Sequence, residues 1–179
     1  MDTAPVIALV LATFVLAGLV KGVIGLGLPT VAIGLLSLVM SPGAAAAILV
    51  VPSFVTNIWQ LFDGPDFRAL ARRLWPMLVG IVVGAIASSG VLLGPDVRYA
   101  SAGLGAALIV YGLLGLFRVR FRVAPGRETW LGPLVGLATG LIAGGTGVFV
   151  IPAVPYLNAL DLDREDLIQA LGLCFTVST

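Results

Sequence analysis

The residues that could do chemistry are few, and the most unusual of them precedes a glycine-rich break in an apolar segment. Lys21 is the only ionisable side chain in the apolar run 6–40, and it stands directly before the stretch Gly22–Pro29. A charged side chain at membrane depth costs roughly 2.5–3.5 kcal/mol on insertion scales, and it usually marks an ion or substrate path. The alternative is a lysine that snorkels to the membrane surface. We predict a binding role for Lys21.

A second glycine-rich stretch stands at the matching position of an internal repeat. A shift of 118 positions pairs Gly22 with Gly140 and Gly27 with Gly145. Backbone groups that glycine and proline free at membrane depth are tolerated only inside protein or beside a water-filled cavity. Interrupted apolar segments in corresponding positions of two halves indicate the binding site of a transporter.

The glycines predict exposed backbone N–H groups where a half-helix begins, which is a binding site for a small anion. Asn57 and Gln60, with the hydroxyl of Thr56, would line this site from the next helix. The alternatives are that the glycines only permit tight helix packing and that the two amides only make interhelical hydrogen bonds. The predicted substrate-binding residues are Lys21, Gly22, Gly25, Gly27, Asn57, Gln60, Gly144, Gly145, Thr146 and Gly147.

The composition predicts an all-α polytopic integral membrane protein. Hydrophobic residues make up 59% of the chain and charged residues 11%, whereas a soluble domain has roughly 25% charged residues. Several stretches long enough for a membrane helix contain no charge. One cysteine and no histidine leave too few ligands for a zinc or iron–sulfur site, and no catalytic constellation or P-loop is visible. We expect no enzyme, metal, cofactor or nucleic-acid partner.

The predicted elements form two related repeats, each of which opens with a glycine-broken or re-entrant helical hairpin. The first repeat, 1–128, comprises the hairpin 6–40, membrane helices 44–62, 76–93 and 99–117, and the polar connectors 63–75 and 118–128. The second repeat, 129–179, comprises the hairpin 129–157, the connector 158–166 and a partial helix 167–179. We expect the second repeat to be incomplete, so that the chain is a fragment or completes its surface with a second copy of itself.

Arginines predict the orientation in the membrane. The connectors 63–75 and 118–128 hold seven of the nine arginines, and two membrane helices separate them. By the positive-inside rule both connectors are cytoplasmic, and we interpret their arginines as orientation signals rather than binding residues. If 6–40 is a hairpin, the two repeats are inverted relative to one another; if it crosses once, they are parallel. We favour the hairpin.

Two motifs resemble those of the TauE/SafE family of membrane permeases. They are Lys21-Gly22-x-x-Gly25-x-Gly27 and Gly144-Gly145-x-Gly147-Val148-x-Val150-Ile151-Pro152. The resemblance covers essentially the whole chain, which would be the larger, N-terminal part of a family member. It implies seven or eight membrane segments in two related halves in a bacterial-type inner membrane. It also implies export of a small sulfur-containing anion such as sulfite, sulfoacetate or another organosulfonate.

The residues and the resemblance together predict a secondary transporter that exports a small anion by alternating access. The substrate would bind near the midplane, between the two glycine-rich breaks. A non-transporting membrane scaffold or assembly factor is the alternative from another class, and an anion channel is a third. The lipid bilayer is the expected surrounding of the protein in all three cases.

Overall fold

In a computed structural model the chain is helical, and the residues that the structure describes are 3–93, 97–117, 122–124 and 126–179. No strand occurs within these ranges. Among the described residues, three helices are long and apolar enough to cross a membrane, over Val6–Ile24, Pro42–Phe62 and Phe67–Gly90. The predicted all-α polytopic membrane class is confirmed. The helices are α1 (Thr3–Ile24), α2 (Leu28–Leu36), α3 (Pro42–Phe62), α4 (Phe67–Leu93), α5 (Val97–Leu116), α6 (Glu128–Thr146), α7 (Ala153–Asn158) and α8 (Arg164–Ser178).

Helices α1 and α3 run parallel to one another. Lys21 on α1 is hydrogen-bonded to Thr56 on α3, and Gly25, one turn further along the chain, is hydrogen-bonded to Gln60. Because the contacts advance in the same order on both helices, the two helices point the same way. The segment 25–41, which contains α2, therefore returns the chain to the end at which α1 began.

Glycine and proline chemistry explains where these first helices end and begin. Gly25 and Gly27 have φ of 81° and 102°, a left-handed conformation that ends a right-handed helix and that glycine adopts without steric cost. Proline in the first turn then suits the start of α2. Helix α3 begins with Pro42 after Ser41, whose hydroxyl accepts a hydrogen bond from the amide of Ala44 at 3.3 Å.

Helices α4 and α6 pack against each other through glycines. A Cβ atom at Gly80 would lie 2.5 Å from the carbonyl oxygen of Pro133, and one at Gly140 would lie 2.7 Å from the amide nitrogen of Ala85. Only residues without a side chain permit backbones to come this close. Contacts advance in the same order along both helices, so α4 and α6 are also parallel.

One end of the bundle joins the start of α6 to the residues that follow α7. Arg73 forms an ion pair with Glu128 at 2.7 Å and also donates to the carbonyl of Leu160 at 3.3 Å. The amide of Val123 donates to the carbonyl of Ala159 at 3.0 Å. The segment between Glu128 and Leu160 therefore leaves this end and comes back to it. We call it the arginine end, after Arg73, Arg122 and Arg164.

Some predicted boundaries differ from the observed ones. Helix α4 already begins at Phe67, inside the predicted connector 63–75, because Leu70 and Leu74 continue the helical spacing of the core residues and are only 4% and 2% exposed. In the connector 118–128, the residues 118–121 and 125 lie outside the described part of the chain.

Candidate functional site

Lys21 lies in the protein interior, one turn before the first break. It is 8% exposed. Its Nζ donates to Thr56 Oγ1 at 2.9 Å and to Asn57 Oδ1. The Thr56 hydroxyl donates in turn to the carbonyl of Pro52 at 2.9 Å, which directs an oxygen lone pair toward the ammonium group. A lysine ammonium has three donors, so one N–H remains for a ligand after these two contacts.

The charge of Lys21 has no carboxylate partner among the described residues. The hydrogen-bond partners of its ammonium group, Thr56 and Asn57, are both neutral. Within the described ranges the structure contains one ion pair, that of Arg73 with Glu128 at the arginine end. A buried charge that lacks a counter-ion is destabilising by several kcal/mol. An anion bound beside Lys21 would remove that cost, so the environment of the ammonium group favours a negatively charged ligand.

Gln60 connects the first break to α8. Its Nε2 donates to the carbonyl of Gly25 and to the carbonyl of Ile168, both at 2.8 Å. One turn earlier on α3, the Asn57 amide group donates to Thr179 Oγ1 at 3.2 Å. Polar side chains of α3 therefore hold together the end of α1, the break and α8. Four predicted site residues, Lys21, Gly25, Asn57 and Gln60, belong to this one cluster.

The remaining glycines of the first motif have different roles. Gly27 needs its positive φ, as described for the break, and a Cβ there would lie 3.2 Å from Val20 Cγ1. Gly22 is an ordinary helical residue of α1, and a Cβ there would have no neighbour within 4 Å. The backbone at Gly27 requires glycine, whereas the space around Gly22 would admit a side chain.

The second motif contacts other parts of the protein. A Cβ at Gly144 would lie 2.5 Å from the carbonyl of Ala85, so this glycine serves the close packing of α6 on α4. Gly145 is buried within α6. Thr146 donates to the carbonyl of Ile142 at 2.7 Å and accepts from the amide of Val148 at 3.2 Å. These hydroxyl contacts are local to the end of α6.

Gly147 forms the break after α6, far from Lys21 along the bundle. Its φ is 75°, and a Cβ there would lie 2.9 Å from Ile33 Cδ1 and 3.4 Å from the Cβ of Ala46. Ala46 is 14 residues before Gln60 on α3, which corresponds to about 21 Å of helix. The two glycine breaks therefore lie near opposite ends of α3, and they do not face one another across a single site.

Several buried polar residues are not among the predicted site residues, and two of them, Ser53 and Gln169, lie on the helices that carry the Lys21 cluster. Ser53 is 2% exposed, lies one turn before Asn57 on the same face of α3, and its hydroxyl has no partner among the described residues. Gln169 on α8 donates to the carbonyl of Leu61 at 2.8 Å and accepts from the amide of Asp66 at 3.1 Å. A polar residue inside an apolar segment is the sequence signal that could have identified both.

A cavity of about 1110 Å³ adjoins the first break. Its lining contains Ile24 and Leu26, which flank Gly25, and Ile168, whose carbonyl accepts from Gln60. At the arginine end its lining includes Arg122 and Arg164. The lining therefore combines charged residues of the arginine end with neighbours of Gly25 and Gln60.

Long apolar helices, two glycine-broken elements and a buried lysine with neutral hydrogen-bond partners are the features of a polytopic membrane protein. A family model described as "Sulfite exporter TauE/SafE" matches residues 10–179. The chain belongs to the TauE/SafE sulfite exporter family, a family of membrane transporters. No curated protein and no solved structure matches the chain.

Proposed function

We propose that the protein is a secondary transporter that exports a small oxyanion, sulfite or an organosulfonate such as sulfoacetate, across a bacterial-type inner membrane. The observation that carries the proposal is the buried ammonium group of Lys21, which has neutral partners and a free N–H donor next to a break in α1. Family membership supplies the substrate class. In this proposal the arginine end is cytoplasmic, as the positive-inside rule predicts for the arginine-bearing connectors.

The anion would bind through charge and hydrogen bonding at the Lys21 cluster. The ammonium group would contact one oxyanion oxygen directly, with a charge-assisted hydrogen bond stronger than a neutral one. The Ser53 hydroxyl is buried on the same face of α3 and would donate to a second oxygen. Thr56 and Asn57 hold the ammonium group in place. Lys21 is thus the binding residue, and its two partners are positioning residues.

Alternating access would use the two breaks separately. Because Gly25 and Gly147 lie near opposite ends of α3, each break could open or close one side of the path. The segments that contain them leave and return to opposite ends of the bundle, which supports an inverted-repeat architecture. In inverted-repeat transporters one half rocks against the other around a central substrate site.

The experiment is efflux of sulfite and sulfoacetate from vesicles that contain the purified protein. Lys21→Gln removes the charge and keeps a polar side chain that is one atom shorter, whereas Lys21→Arg keeps the charge. A hydrogen bond to a charged group contributes about 1.5–3 kcal/mol, so Lys21→Gln should raise the KM for efflux roughly ten- to hundredfold. Lys21→Arg should restore part of the affinity. Arg127→Gln is the control, since it removes an exposed positive charge from a connector.

Three results would contradict this function. Unchanged flux and KM in a well-folded Lys21→Gln protein would show that Lys21 does not bind the substrate. A rate that stays proportional to anion concentration would indicate a channel rather than a carrier. No flux in the wild type, together with variants that change only stability, would indicate a membrane scaffold.

A further inference from the structure

The cavity beside the first break has a charged opening that the Lys21 cluster does not use. Its apolar walls come from α1, α5, α7, α8 and the first break, and its charged lining comes from two separate connectors. Arg122 precedes α6, whereas Asp161 and Arg164 belong to the turn between α7 and α8 and to the first residue of α8. All three side chains belong to exposed residues. We call these three residues the cavity mouth.

Backbone contacts fix the relative position of the two connectors. The amide of Val123 donates to the carbonyl of Ala159 at 3.0 Å, directly after Arg122 and two residues before Asp161. Asp161 itself has φ of 54°, so the turn is held in a left-handed conformation. Arg122 and Arg164 therefore line the same opening, because this backbone hydrogen bond holds their two segments together.

We propose that the cavity mouth is an initial binding site for the transported anion at the arginine end, from which the substrate moves to the Lys21 cluster. This inference rests on the proposed function. The mouth presents two guanidinium groups and one carboxylate, and Asp163, Glu165 and Asp166 lie next to Arg164 outside the cavity. Guanidinium groups bind oxyanions with paired N–H donors, so the two arginines would act by direct contact with the anion.

The lining of the cavity also includes residues next to the first break. Ile24 and Leu26 are the neighbours of Gly25, whose carbonyl accepts a hydrogen bond from Gln60. The volume of about 1110 Å³ slightly exceeds the usual range for small-molecule sites, roughly 300–1,000 Å³. It therefore has room for an oxyanion with part of its hydration shell, or for a short organosulfonate.

The test measures sulfite efflux at several salt concentrations for variants of the mouth. Arg122→Gln and Arg164→Gln should each raise the KM roughly threefold at low ionic strength, because rim charges act mainly on encounter, while kcat stays close to the wild-type value. The effect should shrink in high salt, where exposed charges are screened. Asp161→Asn should lower the KM, and asparagine tolerates the left-handed backbone at this position. Arg127→Gln, which alters an arginine outside the cavity, should leave the KM unchanged.

The outcomes separate this inference from the proposed function. If the wild type transports sulfite and neither arginine variant changes the KM, the mouth is not an initial binding site, although the transport function stands. If the wild type transports no anion, equilibrium binding of radiolabelled sulfite tests whether the mouth binds the anion. Binding that is lost in the Arg122→Gln/Arg164→Gln double variant and kept in Lys21→Gln would support the mouth alone. Binding that the double variant leaves unchanged would overturn the inference.

Discussion

The close packing between α4 and α6 predicts that alanine substitutions at two glycines, one inside this interface and one outside it, have opposite effects on stability. In Gly140→Ala the new Cβ would collide with the carbonyl oxygen of Ile81 and would lie 2.7 Å from the amide nitrogen of Ala85. Both contacts are to backbone atoms of α4, which no rotamer change can move. The matched control is Gly18→Ala on α1, where a Cβ would have no neighbour within 4 Å.

The expected magnitudes follow from these two environments. Overpacking of a well-packed interface costs about 1–3 kcal/mol, and the backbone collision at Gly140 places this variant at the upper end of that range. Alanine regains up to about 1 kcal/mol over glycine in a helix interior. Gly140→Ala should therefore destabilise the protein by about 2 kcal/mol, whereas Gly18→Ala should be neutral or stabilising. For a chain of this size, 2 kcal/mol corresponds to a Tm decrease of about 4–8 °C.

The single cysteine provides the assay. Cys174 is 1% exposed, so a thiol-reactive fluorescent dye should label it only when the helices separate on heating in detergent. The measurement compares the Tm of the two alanine variants with that of the wild type. A Tm for Gly140→Ala equal to or above the wild-type value, as for Gly18→Ala, would show that α4 and α6 do not pack at the distance described here.

Two further predictions use the same melting assay. Gln169→Leu should lower stability by about 1–3 kcal/mol, because it leaves the buried carbonyl of Leu61 and the amide of Asp66 without partners; an unchanged Tm would argue against these contacts. The hydrogen bond from Arg73 lowers the pKa of Glu128, so this pair contributes stability above the unfolded-state pKa of the carboxyl and loses it as the pH falls through the folded-state pKa. An exposed pair contributes at most about 1 kcal/mol. Glu128→Gln should therefore abolish the part of the Tm decrease at acidic pH that comes from this pair and leave the rest of the pH dependence unchanged.

The class of protein and the position of its unusual backbone could be inferred from residue types. Apolar runs identify membrane helices because their length is set by the bilayer. Glycine is the residue that adopts positive φ without strain, and the helices do stop within the two glycine-rich stretches, at Gly25–Gly27 and at Gly147. Lys21 was conspicuous for the same kind of reason, since an ionisable group in an apolar run is expensive.

The relative placement of these features could not be inferred in the same way. Sequence similarity between the two motifs suggested that they meet, but Gly25 contacts the end of α3 and Gly147 contacts its beginning. Which helices are neighbours, and in what register, depends on long-range packing that residue types and spacing do not reveal. For the same reason the sequence does not predict the cavity that Arg122 and Arg164 line, and it indicates only an orientation signal for Arg122.

The absence of a carboxylate beside Lys21 in the described part of the chain has an electrical consequence for a carrier. An empty site of this kind has one net positive charge, and it becomes neutral when it holds a monovalent anion. Moving one elementary charge through the membrane potential changes the free energy by about 2.3 kcal/mol per 100 mV. An inside-negative potential would therefore pull the empty site back toward the cytoplasm and leave the loaded step nearly unaffected. With a divalent anion the loaded site would have a net negative charge and would be driven outward. In both cases the voltage that the cell maintains would favour export, without a second ion bound to the protein.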